Sequence, residues 1–241
     1  MCFCDRSLEI RLAEKKQSDK KYINCQMCPE PFWCRLDSGG GFRQNRSMQE
    51  NKKRASILAA AHTQFKQYGY RKTSMEDIAR ELGISRASLY SYFDNKDEIF
   101  RGVSISLHEA ALAEARSCLQ AEFKSEGLRK QVQDALLARH TPFQDAFVQS
   151  PHGQELHDEY SRLCGDIVAD SHIRFQAMLA STLSNAARRG EIDLKKAKLS
   201  AAAAAELLNL AAAGLKRGAK DPKVFERRVR KLAGVFVSGL Q

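Results

Sequence analysis

The stretch Thr73-Ser74-Met75-Glu76-Asp77-Ile78-Ala79-Arg80-Glu81-Leu82-Gly83-Ile84-Ser85-Arg86-Ala87-Ser88-Leu89-Tyr90-Ser91-Tyr92-Phe93 decides the fold. Ser74 precedes Met75, Ile78, Ala79 and Leu82, which share one helical face. Its hydroxyl can cap a free N–H of the first turn, and Asp77, three residues on, suits the positive end of the helix. Gly83 breaks that helix and Ser85 offers a second cap. Leu89 and Phe93, four residues apart, turn inward in the helix that follows. Two short helices joined by a turn of about four residues form a helix-turn-helix.

Upstream, Ile57, Leu58, Ala61, Phe65 and Tyr68 recur at helical spacing, and Gly69 supplies the stop because it accepts positive φ. A three-helix unit results. Ala87 and Ser91 lie on the side of the third helix opposite Leu89 and Phe93, flanked by Ser88 and Tyr90, with Arg86 in the first turn. Small side chains there let the backbone approach base edges, and Arg86 can donate two hydrogen bonds to a guanine. DNA is the partner this arrangement suggests.

The run Phe65, Tyr68-Gly69-Tyr70, Thr73-Ser74-Met75, Asp77-Ile78-Ala79, Gly83-Ile84-Ser85, Leu89-Tyr90, Tyr92-Phe93 and Lys96 resembles the N-terminal domain of TetR-family (tetracycline-repressor-like) transcriptional regulators. The aromatic pair ending helix three, followed by Asn95-Lys96-Asp97 and an apolar helix, is the most particular part of the match. Gly or Pro and Thr are usual in the family where Ala87 and Ser88 stand, a departure that bears on the DNA sequence read. The resemblance implies an all-α chain. Its N-terminal three-helix helix-turn-helix DNA-binding domain would cover 50–110 and a C-terminal helical ligand-binding and dimerisation domain 111–241. It also implies that Ser74, Ser85, Tyr90, Tyr92 and Lys96 hold phosphates, while Arg86, Ala87, Ser88 and Ser91 face bases. The residues themselves leave plainer roles open. Tyr90 and Tyr92 can be packing with a wet hydroxyl, Lys96 an unpartnered charge at a helix start, and Arg86 a surface ion pair with Glu81 or Asp94.

The chain has 241 residues, a net charge of +10 and a pI near 9.3, a balance that favours an anionic partner. No apolar run approaches the roughly twenty residues needed to cross a bilayer. Met1 to Glu30 is studded with charges and lacks the apolar core of a signal peptide. A cytoplasmic protein with no membrane partner is expected.

Five of the seven cysteines, Cys2, Cys4, Cys25, Cys28 and Cys34, crowd the N-terminus. Cys25-x-x-Cys28 has the spacing of two zinc ligands, with Cys34 as a third. A fourth would have to come from Cys2 or Cys4 across a long loop, since no histidine precedes His62, and disulfides do not suit a reducing cytosol. Neither metal nor cofactor is expected. Beyond Leu8 to Ala13 this segment has little periodicity, and Ser38-Gly39-Gly40-Gly41 marks a flexible stretch. Residues 1–49 are expected to be a disordered, cysteine-containing extension, with Met48 as an alternative start.

From Lys96 onward the pattern is helical. Asp94 or Asn95 caps a helix running toward Leu119, and Leu128 to Arg139 forms another, interrupted at Thr141-Pro142. Ser150-Pro151 opens a long helical region ending at Arg188-Arg189-Gly190. The penultimate helix ends near Gly218, and Asp221-Pro222 caps the last. Phe225, Val229, Leu232 and Phe236 form an apolar stripe on the last helix, and Leu208, Ala211 and Leu215 a similar line on the one before. The resemblance implies that these stripes pair with a second copy, placing two recognition helices on a palindromic double-stranded operator. They can equally face this chain's own core. A small-molecule effector among the middle helices is likewise implied, with Phe123, Phe143, Phe147, Tyr160, Phe175 and Met178 as candidate lining or as ordinary core. No phosphate-binding glycine loop, nucleophile elbow or His-Glu-x-x-His motif points to an enzyme. The expected function is a homodimeric repressor released from its operator by a small molecule. An activator of the same fold and a helical protein-interaction module are the alternatives.

Overall fold

Helix caps set the frame. In the computed structural model Ser74 is extended, its hydroxyl accepts the Asp77 N–H, and the Asp77 carboxylate accepts the Ser74 N–H at 2.9 Å, so both halves of a capping box open helix α2 (Met75–Glu81). Ser85 accepts the Ser88 N–H at 3.1 Å and opens α3 (Arg86–Tyr90), and Asn95 accepts the Glu98 N–H at 2.8 Å and opens α4 (Lys96–Gln120). Helix α1 (Gly40–Tyr68) ends where Gly69 turns to φ +85°.

The structure describes residues 14–17, 20–24, 33–36, 40–121, 127–148, 150–219 and 221–241. The chain divides into two units, Met1–Lys53 and Arg54–Gln241. In the first, strands β1 (Glu14–Gln17), β2 (Lys20–Asn24) and β3 (Trp33–Leu36) form an antiparallel sheet in the order β1-β2-β3, with Glu14 opposite Ile23 and Ile23 opposite Cys34. This differs from the expectation of an extension without regular structure. The strands are four or five residues long, and β1 and β2 are rich in lysine, so no apolar alternation announces them, although Tyr22, Ile23 and Trp33 are good strand formers. Cys2, Cys4, Cys25 and Cys28, and with them the zinc reading, lie outside the described residues.

The second unit is helical throughout its described residues and agrees with the all-α expectation. After α4 come α5 (Gly127–Val148), α6 (Gly153–Leu163), α7 (Gly165–Arg188), α8 (Ala201–Gly214) and α9 (Pro222–Ser238). Two boundaries depart from the sequence pattern. Helix α5 runs through Pro142, which forgoes one backbone hydrogen bond without ending the helix. The long region after Pro151 is broken at the buried Cys164, whose backbone leaves helical geometry. Arg101 of α4 secures that break, donating to the Leu163 carbonyl and, at 2.8 and 2.7 Å, to both oxygens of Asp166. The freed end of α6 thus finds a partner from another helix.

Two cores fill this unit. Ile57, Phe65, Ile78, Leu89, Phe93 and Ile99 anchor one, and it extends to Leu156 of α6 and Cys164. Leu112, Leu136, Phe175, Leu183, Leu208 and Phe225 anchor the other, built from α4, α5, α7, α8 and α9. The first positions the helix-turn-helix, and α6 touches it directly.

Candidate nucleic-acid interface

Helix α3 shows the division that groove reading needs. Leu89 and Phe93 are buried beneath it, while Ser85, Arg86, Ala87, Tyr90 and Ser91 are exposed and Ser88 half-exposed. Arg86 pairs with Glu76 rather than with Glu81 or Asp94, and it donates to the Tyr90 hydroxyl at 3.3 Å. Both partners of the ion pair are largely in solvent, so the pair holds little energy and yields readily to a stronger acceptor. The Ser91 hydroxyl donates to the Ser88 carbonyl at 2.6 Å, which steadies the end of this very short helix. Tyr92 is half-buried against the head core.

Lys96 has a different setting from the one the family pattern implies. Its ammonium donates to the carbonyls of Tyr70 at 2.8 Å and Thr73 at 3.0 Å, lies 3.5 Å from that of Arg71, and sits 4.3 Å from the Tyr70 ring centroid. Partial burial lowers its pKa. These contacts tie the start of α4 to the loop between α1 and α2. Lys72, on that same loop two residues before Ser74, is exposed.

Arg54 is a residue that sequence reading missed. It donates to the Tyr92 carbonyl at 2.8 Å, pairs with Glu98 at 3.2 Å and lies 4.0 Å from the Phe93 ring centroid. This pins the end of α3 to α1 and α4. Nothing in its position relative to the apolar spacing distinguishes it from neighbouring basic residues.

The α1–α2 loop is also clamped from α6. Glu155 accepts the Arg71 N–H at 2.6 Å, Glu159 lies 3.6 Å from the Arg71 guanidinium, and Tyr70 donates to Asp97, which in turn faces Arg162. Ser150 donates to the Lys66 carbonyl at 2.8 Å. A Cβ at Gly69 would stand 2.6 Å from Glu155 Oε2, and Gly69 already has positive φ. Gly69→Ala is therefore expected to cost more than about 1 kcal/mol in chemical denaturation. Adding Glu155→Ala is expected to return the steric part, leaving the backbone strain; strict additivity of the two changes would show that Glu155 does not crowd this turn.

The apolar stripes on the last two helices point inward. Leu208, Phe225 and Val229 are fully buried in this chain's own core, and Leu215, Leu232 and Phe236 are half-buried against it, with Ala211 also partly covered. Within the chain α8 packs chiefly on α7 and α9 chiefly on α5, so Leu208, Phe225 and Val229 serve its own core, while Ala211, Leu215, Leu232 and Phe236 keep part of their surface open. What the two helices expose is a second apolar set: Leu207 (49% exposed) and Leu210 (53%) on α8, and Val235 (76%) on α9.

Of the candidate pocket residues, Phe143, Tyr160 and Phe175 come together, and Met178 packs on the helical core. Phe123 and the side chain of Phe147 lie outside the described residues. Phe143 and Tyr160 flank His108, which sequence reading did not single out. His108 is hydrogen-bonded to Tyr160 at 2.7 Å and to Ser171 at 2.8 Å. Burial pushes its pKa down to about 4, so the ring is neutral, accepting at one nitrogen and donating at the other.

Residues 57–103 match the family described as bacterial regulatory proteins, tetR family. This segment is similar to the TetR family. The HTH-type transcriptional regulator YfiR of Bacillus subtilis is 43% identical over 54 residues, 22% of this chain and 26% of that protein. The chain spans about a quarter of the length of the first curated relatives it matches. Solved structures extend the likeness in fold across both cores. A transcriptional regulator from Cytophaga hutchinsonii has a TM-score of 0.64 at 19% identity, covering 77% of this chain and 96% of that one. SmeT, the repressor of the Stenotrophomonas maltophilia multidrug efflux pump SmeDEF, has a TM-score of 0.56 at 18% identity, covering 78% and 89%, and has also been solved as a triclosan complex. The TetR-type head thus joins a helical body whose fold, but not its sequence, is shared.

Proposed function

We propose that this chain is a cytoplasmic transcriptional repressor, without catalytic activity, that binds a palindromic operator as a homodimer and is released by a small molecule. The exposed face of α3 from Arg86 to Ser91, set over the buried Leu89 and Phe93, carries the reading. It leaves a guanidinium and three small side chains free to enter a major groove. The Ser74 and Ser85 caps, the Tyr90 and Tyr92 hydroxyls and Lys72 are the groups proposed to hold phosphates, fixing register and supplying salt-dependent affinity. Lys96 is proposed to act through the loop that carries Lys72. The domain reading keeps the head at 50–110 and the regulatory body at 111–241. No helix among the described residues is long and apolar enough to cross a membrane. SmeT, a repressor crystallised with triclosan, supports an effector-released repressor on this fold.

Selection of bound sequences from random DNA supplies the operator, and fluorescence anisotropy then separates the roles. Arg86→Ala is expected to weaken operator binding by about ten- to a hundredfold and to relax preference at one base pair, with random DNA little affected. Lys72→Ala is expected to weaken both alike and to lower the salt dependence. Equal losses on operator and random DNA for Arg86→Ala would remove it from base reading.

A further inference from the structure

Arg139 of α5 is only 5% exposed, and among the described residues no carboxylate lies within ion-pair distance of it. Its Nε makes no hydrogen bond. Its guanidinium lies 5.5 Å from the Phe143 ring centroid and 6.0 Å from that of Phe175. Lys216, just beyond α8, brings a second cation to the same place, with its ammonium 5.8 Å from the Phe143 ring and no described acidic partner. Desolvation and the nearby Arg139 pull the lysine down to about 8. Two histidines complete the surround. His140 is buried edge-on between Phe175 and Phe225, and His108 lies 4.4 Å from Phe143 and bonds Tyr160. Both are held neutral, chiefly by burial and also by the positive charges of Arg139 and Lys216.

More exposed arginines of this unit are paired, Arg101 with Asp166, Arg174 with Glu109 and Asp170, and Arg162 with Glu159, and the half-buried Arg228 donates to two carbonyls. Burying one unpaired ion costs several kcal/mol, and a second of like sign adds repulsion. An arrangement of two cations, neutral imidazoles and aromatic walls with no described counterion is complementary to an anion.

We infer that the effector of this protein is a small organic acid, whose carboxylate is received by Arg139 and Lys216 and whose apolar body lies against Phe143, Phe175 and Tyr160. The inference rests on the effector-released reading above. A guanidinium fork matches a carboxylate with two parallel hydrogen bonds, the lysine adds a point charge, and the neutral imidazoles offer donors without further charge. Tyr160 also borders a small apolar cleft lined by Phe65, Phe100, Val103, Leu107 and Leu156, so it stands between this cluster and the head core. Helix α6 carries Tyr160 at this cluster and Glu155 and Glu159 at the α1–α2 loop. A ligand that moves Tyr160 therefore acts on the helix that clamps the head.

The test uses the full chain with benzoate, salicylate, hexanoate and decanoate, each beside its neutral amide, followed by calorimetry and thermal denaturation. At least one acid is expected to bind and raise the melting temperature, with its amide at least about tenfold weaker. Arg139→Met, which keeps the volume and removes the charge, is expected to abolish the response to acid while leaving the free protein as stable or more so. A purely structural Arg139 predicts the opposite: a destabilised variant and an unchanged response to acid. No stabilisation by any acid at millimolar concentration, or equal effects of acid and amide, overturns the inference. Operator binding, measured separately, distinguishes the readings. DNA binding without an acid response removes the anion site alone, whereas an acid response in a protein that binds no DNA removes the regulator.

Discussion

Phe65→Ala is expected to lower the stability of the head by about 3–5 kcal/mol and to abolish DNA binding with it. Phe65 is 2% exposed, and its ring centroid lies 5.6 Å from that of Tyr70 and 5.4 Å from that of Phe100, while Tyr70 and Phe100 meet edge-on at 5.2 Å. One side chain thus joins α1, the loop before α2 and α4. Truncation loses its own transfer energy, opens a cavity and removes two aromatic contacts at once. Typical domains have only about 5–15 kcal/mol of total stability, so the head would approach its limit. Tyr68→Ala, three residues along the same helix but 46% exposed, is the control and is expected to change stability by no more than about 0.5 kcal/mol. Urea denaturation followed by circular dichroism measures both. Comparable losses for the two variants would mean that the aromatic cluster does not hold the head.

The second large effect concerns assembly. Leu210→Arg combined with Val235→Arg is expected to convert a dimer to a monomer and to reduce affinity for a palindromic operator by about a hundredfold or more. Leu207, Leu210 and Val235 are the exposed large apolar residues on α8 and α9, and they lie outside the stripe that those helices bury. Apolar exposure of this kind on neighbouring helices invites a partner, and a second copy bearing the same residues is the simplest one. Two heads held together bind two half-sites with the gain of effective concentration, which a monomer loses. Sedimentation and binding to full and half operators check the two parts. Val229→Ala is the contrast, expected to reduce stability by a core-cavity mechanism while leaving a folded protein dimeric. A wild-type monomer at micromolar concentration, or an intact dimer in the double variant, would eliminate this surface.

Much of the head could be read without coordinates because its signals are local. The Ser74 capping box, the Ser85 cap and the Gly69 stop each depend on residues within four positions of one another and stand where the pattern placed them, and of the two candidates Asp94 and Asn95 it is Asn95 that caps α4. The inward pair Leu89 and Phe93 follows from helical spacing in the same way. The short strands β1 to β3 escaped notice because strand pairing depends on residues brought together from different segments, and runs of four or five residues give little periodicity to detect. The α6–α7 break escaped for a related reason: it is secured by Arg101, more than sixty residues earlier.

Lys96, the last two helices and Arg139 show the same limit in the functional reading. From sequence, Lys96 is a charge at a helix start; only folding brings the Tyr70 and Thr73 carbonyls to its ammonium. Helical spacing marks Leu208, Phe225 and Val229 as apolar stripes but is silent on which neighbour covers them, and the fold covers them with the chain's own helices. By itself, then, the sequence determined the helix-turn-helix, its caps and which face of α3 is exposed, since each depends on residues close along the chain. The tertiary structure alone decided which apolar faces stay exposed, what occupies Lys96, and that Arg139 and Lys216 both lie near Phe143 without a described counterion. Burial and charge pairing depend on distances between helices far apart in sequence, and those distances exist only once the chain has folded.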